Sequence, residues 1–70
     1  MAYIKERREP SGDVVMYEGG VEYHCETNEE AADLSDALND APVSETGSWD
    51  SFLAWAKRVN HPIVAKYNYA

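Results

Sequence analysis

The sequence has almost nothing with which to staple itself. Its 70 residues hold one cysteine, Cys25. One thiol cannot close an internal disulfide, which excludes the disulfide frameworks of small secreted domains. No window approaches the roughly 18 apolar residues of a membrane-spanning helix. The opening MAYIKERREP also lacks the apolar stretch of a signal peptide. These absences predict a soluble, cytoplasmic chain that folds as one domain over 1–70. Motifs of chemistry are missing too. There is no C-x-x-C, no H-E-x-x-H, no G-x-S-x-G turn and no phosphate-binding glycine loop.

The most informative absence is that of positive charge. Between Arg8 and Lys57 lie twelve carboxylates, Glu9 to Asp50, and no Lys or Arg. The net charge is −7, from 13 acidic and 6 basic residues. Such a surface repels nucleic acid and anionic lipid and attracts basic protein surfaces.

What is present is a readable order of elements. Residues 3–8, YIKERR, alternate poorly and suit an edge strand protected by charge. Glu9-Pro10-Ser11-Gly12-Asp13 reads as a turn, with Gly12 taking a left-handed conformation. Val14 to Tyr17 is a second strand, and its four apolar residues in a row predict at least partial cover on both faces. Gly19-Gly20 then predicts a type I′ or II′ hairpin turn. Val21 to Glu26 alternates, placing Val21, Tyr23 and Cys25 inward and Glu22, His24 and Glu26 outward.

Thr27 and Glu30 form a capping-box pattern opening a helix from Asn28 to Asn39 or Asp40. At 100° per residue, Ala31, Leu34, Leu38 and Ala41 make an apolar stripe, with Glu29, Asp33, Asp36 and Asp40 nearly opposite. APVSETG is a loop, and Ser48 caps a second helix with Trp49, Phe52, Leu53, Trp55, Ala56 and Val59 on its apolar face. Pro62 biases His61 away from helix and ends it. Ile63 to Tyr69 alternates as a last strand, pairing with the first or lying beside the hairpin. The expected fold is α+β: an antiparallel sheet of three to four strands with two helices packed on one face, β-β-β-α-α-β. Tyr23, Leu34, Leu38, Phe52 and Leu53 are the expected core.

Candidate chemistry is sparse. His24 and Cys25 are adjacent on a strand and point to opposite faces, so with His61 they make no convincing metal site. Cys25 reads as a small buried hydrophobe. Ser44, Ser48 and Ser51 are explained as caps. Asp33, Asp36 and Asp40 lack the glycine and ligand order of a calcium loop. No cofactor, metal or catalytic residue is expected.

The sharpest feature is the acidic stripe. Like charges at this spacing destabilise an isolated helix, which calls for a reason to keep them. With Glu22 and Glu26 they offer a partner-binding surface; a solvated face that maintains solubility is the alternative. For the tryptophans, Trp49 and Trp55, core is the first reading in so small a domain, with one of them open to a binding role. Trp55 lies at the edge of its helix stripe and is the better interface anchor. A second reading therefore docks a partner through the tryptophan helix and a sheet edge.

The segment Glu18-Gly19-Gly20-Val21-Glu22-Tyr23-His24-Cys25-Glu26-Thr27, followed by Glu29-Glu30-Ala31 and by Leu34, Leu38 and Asn39, resembles small accessory proteins common in bacteriophage genomes. The likeness covers about a third of the chain. It implies a protein that binds and inhibits a host protein; anti-CRISPR proteins are one such group, and several kinds act as acidic mimics of nucleic acid. The expected protein is thus a non-enzymatic inhibitor. Its partner is a basic protein surface, such as that of a nucleic-acid-binding protein or complex, with no direct contact to nucleic acid or membrane.

Overall fold

The computed structural model describes residues 7–8 and 12–69, with Arg7 and Arg8 described by their backbone only. Residues 3–6 of the expected first strand and 9–11 of the expected turn lie outside the described residues. The chain divides into two compact units, Met1–Ala32 and Asp33–Ala70.

In the N-terminal unit, β1 (Arg7–Arg8), β2 (Val14–Glu18) and β3 (Val21–Cys25) are ordered β1-β3-β2. β2 and β3 form the expected hairpin, in register from Glu18↔Val21 to Val14↔Cys25. Gly19 and Gly20 turn it at φ 59° and 83°. Both angles are positive, as a type I′ turn requires, and glycine reaches them without a Cβ clash.

The expected sheet of three to four antiparallel strands is not formed. Its antiparallel part is the two-stranded hairpin, and β1 adds a two-residue parallel pairing, Arg7↔Glu22 and Arg8↔Tyr23. β1 runs in the same direction as β3, so placement beside β3 makes the pairing parallel. The weak alternation of YIKERR carried no signal for that choice of neighbour.

β3 is the central strand, and Val21, Tyr23 and Cys25 are buried on one of its faces. β2 is covered more on one face than on the other. Val14, Met16 and Glu18 are half-buried, while Val15 and Tyr17 are exposed.

Gly12 sits where two stretches of backbone approach closely. A Cβ there would run into the Cys25 carbonyl oxygen and lie 2.6 Å from the Cys25 carbonyl carbon and 2.7 Å from Glu26 Cα. All three are backbone atoms, so only glycine allows this close approach.

α1 (Asn28–Asp40) starts where the capping box predicts. The Glu30 N–H donates to Thr27 Oγ1 at 3.0 Å. The Glu30 carboxylate reaches back one residue further than the usual box, accepting from the Glu26 N–H at 2.8 Å.

In the C-terminal unit, the remainder of α1 buries Leu34, Ala37, Leu38 and Ala41, the i, i+3, i+4, i+7 pattern of one helix face. A short 3₁₀ turn, Val43–Glu45, leads to α2 (Trp49–Arg58), whose N-cap Ser48 accepts from the Ser51 N–H at 3.2 Å. Trp49, Phe52, Trp55 and Ala56 are buried; Leu53 is half-buried and Val59, the C-cap, is exposed.

α2 ends in a Schellman motif. Asn60 takes φ 59°, the Asn60 N–H donates to the Lys57 carbonyl, and the His61 N–H donates to the Ala56 carbonyl at 2.8 Å. These bonds satisfy carbonyls that the helix end would otherwise leave open.

The expected last strand is a helix, α3 (Pro62–Tyr67), so the described residues hold three α-helices where two were expected. Pro62 sits at its first turn, where the missing N–H is harmless and φ is preset. Proline also biases His61 to extended backbone, and His61 adopts φ −66°, ψ 136°, the conformation an N-cap needs. Its Nδ1 accepts from the Ile63 N–H at 3.2 Å. The residue pair that stops α2 thus also starts α3. Asn68, at φ 57°, closes it.

Candidate functional site

The acidic residues fall into two sets, one in each unit. In the N-terminal unit, Glu22 is half-buried on the outer side of β3, where its carboxylate hydrogen-bonds His24 Nε2 two residues on. Glu26 and Glu29 are exposed at the end of β3 and in the first turn of α1. Glu30 is buried and acts structurally, through the capping bonds. Burial, and secondarily the nearby Glu30, pushes the Cys25 thiol up to about 11. That thiol stays protonated at neutral pH and behaves as a packed apolar group.

In the C-terminal unit, Asp33 does not present an open carboxylate. Its Oδ2 accepts from Lys66 Nζ at 2.7 Å and from the Tyr67 hydroxyl at 2.5 Å. The Lys66 hydrogen bond, then that of Tyr67, holds Asp33 below the usual carboxylate range. Asp40 is exposed, with its Oδ2 3.2 Å from His61 Nε2. Because His61 Nδ1 accepts a backbone N–H, neutral His61 carries its proton on Nε2 and donates it to Asp40. Asp36 is exposed, and no described residue makes an ion pair with it.

The stripe read from spacing is therefore graded: Asp36 is open, Asp40 is shared with a histidine, and Asp33 is tied down. Sequence reasoning missed Lys66 and Tyr67 as partners of Asp33 because residues 63–69 read as a strand. Adjacent strand residues point to opposite faces and could not converge on one oxygen. The helical reading of Pro62 was the available signal.

Trp55 is buried. Its ring lies 6.1 Å from that of Phe52 and 5.7 Å from that of His61, centroid to centroid. Trp49 lies 5.5 Å from Phe52 and 5.2 Å, edge-on, from Tyr69. Both tryptophans belong to one aromatic cluster, and little of Trp55 is left to anchor a partner. Among the described residues, no cluster of three or more His, Cys, Asp or Glu is placed to hold a metal ion. No helix among them is long and apolar enough to cross a membrane.

Chemically, the exposed carboxylates can accept charge-assisted hydrogen bonds from Lys and Arg. Neither family models nor curated proteins nor solved structures give a match to this chain.

Proposed function

We propose that this protein is an acidic protein-binding module, an inhibitor whose carboxylates occupy a basic, nucleic-acid-binding surface of a partner protein in the cytoplasm. One observation carries the reading: twelve carboxylates without a Lys or Arg between Arg8 and Lys57, several of them on exposed residues. Glu26 and Glu29 in one unit and Asp36 and Asp40 in the other are exposed. Asp33 contributes least, since Lys66 and Tyr67 already occupy it. Charge of one sign steers association with an oppositely charged surface, and salt screens it over roughly 8–10 Å.

Capture of partners from lysate at low and high salt tests this. The expected result is salt-sensitive capture of a nucleic-acid-binding protein, released by added nucleic acid. Salt-insensitive capture, unaffected by nucleic acid, contradicts it.

A further inference from the structure

The acidic-surface reading leaves one part of the N-terminal unit unused: the outer side and edge of β2. β2 ends the order β1-β3-β2, so among the described residues no strand pairs with its other side. Glu18 and Val21 close the two-residue turn. In such a hairpin the closing pair bonds to each other, and alternate pairs along the ladder do the same. Counting back from Glu18, Met16 and Val14 also direct their N–H and C=O groups to β3. Val15 and Tyr17 direct theirs away from it.

The same two residues carry exposed apolar side chains, Val15 at 42% and Tyr17 at 70% exposure. Edge strands are ordinarily blunted by lysine, proline or a bulge. Val14–Glu18 has no lysine or proline, and its register with β3 is unbroken. The surroundings have one sign of charge. Asp13 and Glu26 are exposed, Glu22 lies opposite Tyr17, and residues 12–26 contain no Lys or Arg.

We propose that the β2 edge takes up an extended segment of a partner protein as an added strand, the segment alternating apolar residues with Lys or Arg. The outward N–H and C=O groups of Val15 and Tyr17 make the main-chain bonds. The apolar residues of the segment cover Val15 and Tyr17, and the field of Asp13, Glu22 and Glu26 selects its cations. A second copy of this chain fits less well, since it brings the same net charge of −7. The inference rests on the proposed function only for the sign of the partner's charge.

The probe is a synthetic peptide alternating valine and lysine, with valine–glutamate and glycine–lysine peptides beside it. The valine–lysine peptide is expected to slow hydrogen exchange at the Val15 and Tyr17 amides, and the other two are not. Val15→Pro removes an outward N–H that the β2–β3 ladder does not use, a placement that edge strands tolerate. It should weaken binding about tenfold. Absence of protection at these two amides overturns the proposal, as does equal binding of the glycine–lysine peptide or unchanged affinity in a folded Val15→Pro protein. Should Val15→Pro not fold, Val15→Lys keeps the N–H but opposes a cationic strand; it is expected to weaken binding to a similar extent, and unchanged affinity overturns the proposal. Protection in the concentrated protein alone would assign the edge to a second copy and overturn the occupant named here. Loss of peptide binding in Asp36→Lys but not in Val15→Pro would overturn the edge proposal while leaving the acidic-surface reading in place.

Discussion

The two units hold their cores by different means. The N-terminal unit depends on backbone geometry: a glycine pair at positive φ, a glycine packed on the backbone of β3, and a capping box that ties Thr27, Glu30 and Glu26 together. The C-terminal unit depends on rings: Trp49, Phe52 and Trp55 on α2 and Tyr69 just past the end of α3, in one cluster. The first should be sensitive to changes that add a single carbon next to the main chain. The second should be sensitive to truncation of side chains and indifferent to small additions at its loops.

The largest effect should come from Phe52→Ala. Phe52 is fully buried between two tryptophan rings, and its loss should cost about 3–5 kcal/mol. That matches the whole net stability of about 3–5 kcal/mol that a core this small supplies. Chemical denaturation should show a largely unfolded protein; a midpoint near that of the parent would remove the ring cluster as the organiser of its unit.

A glycine pair sharpens the comparison. Gly12→Ala should cost about 1–3 kcal/mol, since the new methyl meets backbone that cannot swing aside. Gly47→Ala, in the other unit, meets nothing within 4 Å and should change stability by less than about 0.5 kcal/mol. Thermal melts of the two variants check this, and equal losses would erase the distinction.

The caps give a smaller contrast. Thr27→Ala should cost about 2 kcal/mol and Ser48→Ala about 0.5 kcal/mol, the two ends of the usual range for caps. The Thr27 hydroxyl serves the N–H of buried Glu30, while the Ser48 hydroxyl serves the N–H of half-buried Ser51. Denaturant midpoints for the two variants measure the difference.

The smallest effect concerns Asp33. Its carboxyl is held below the ordinary value of 3.8 by Lys66 and Tyr67. A depressed folded value means that the contribution is present above the unfolded value and is lost as pH falls through the folded one. The stability advantage of the parent over Asp33→Asn should therefore hold above about pH 4 and shrink below it. An advantage that grows on acidification would contradict the Lys66–Asp33–Tyr67 arrangement.

How far these features were legible follows from their range along the chain. Gly19-Gly20, Thr27-x-x-Glu30 and Ser48 are local signals, and each produced the turn or cap that local sterics and hydrogen bonding dictate. So did the burial of Tyr23, Leu34, Leu38 and Phe52, which follows from the period of their elements; Leu53 is only half-buried. Residues 63–69 alternate as a strand does, yet Pro62, a stop for α2, also presets the first turn of α3. The partner choice of β1, the approach of Gly12 to Cys25 and the capture of Asp33 by residues 33 and 34 positions away depend on tertiary placement, which no local pattern encodes. Trp55 looked peripheral on a helical wheel. The His61 ring, brought back by the turn after α2, covers it.

The central claim, that exposed carboxylates bind a basic partner, is tested most directly by reversing charge where the structure leaves it open. Glu26 and Asp36 are the positions to change, rather than Asp33, because both are exposed. Affinity of the captured partner for the Glu26→Lys/Asp36→Lys protein should be measured across a salt series, with circular dichroism to verify the fold. The account predicts a folded protein, weaker binding at low salt, and a shallower dependence of affinity on salt than the parent shows. A folded variant with the parent's affinity and salt dependence would contradict it and leave the acidity as a solvated face.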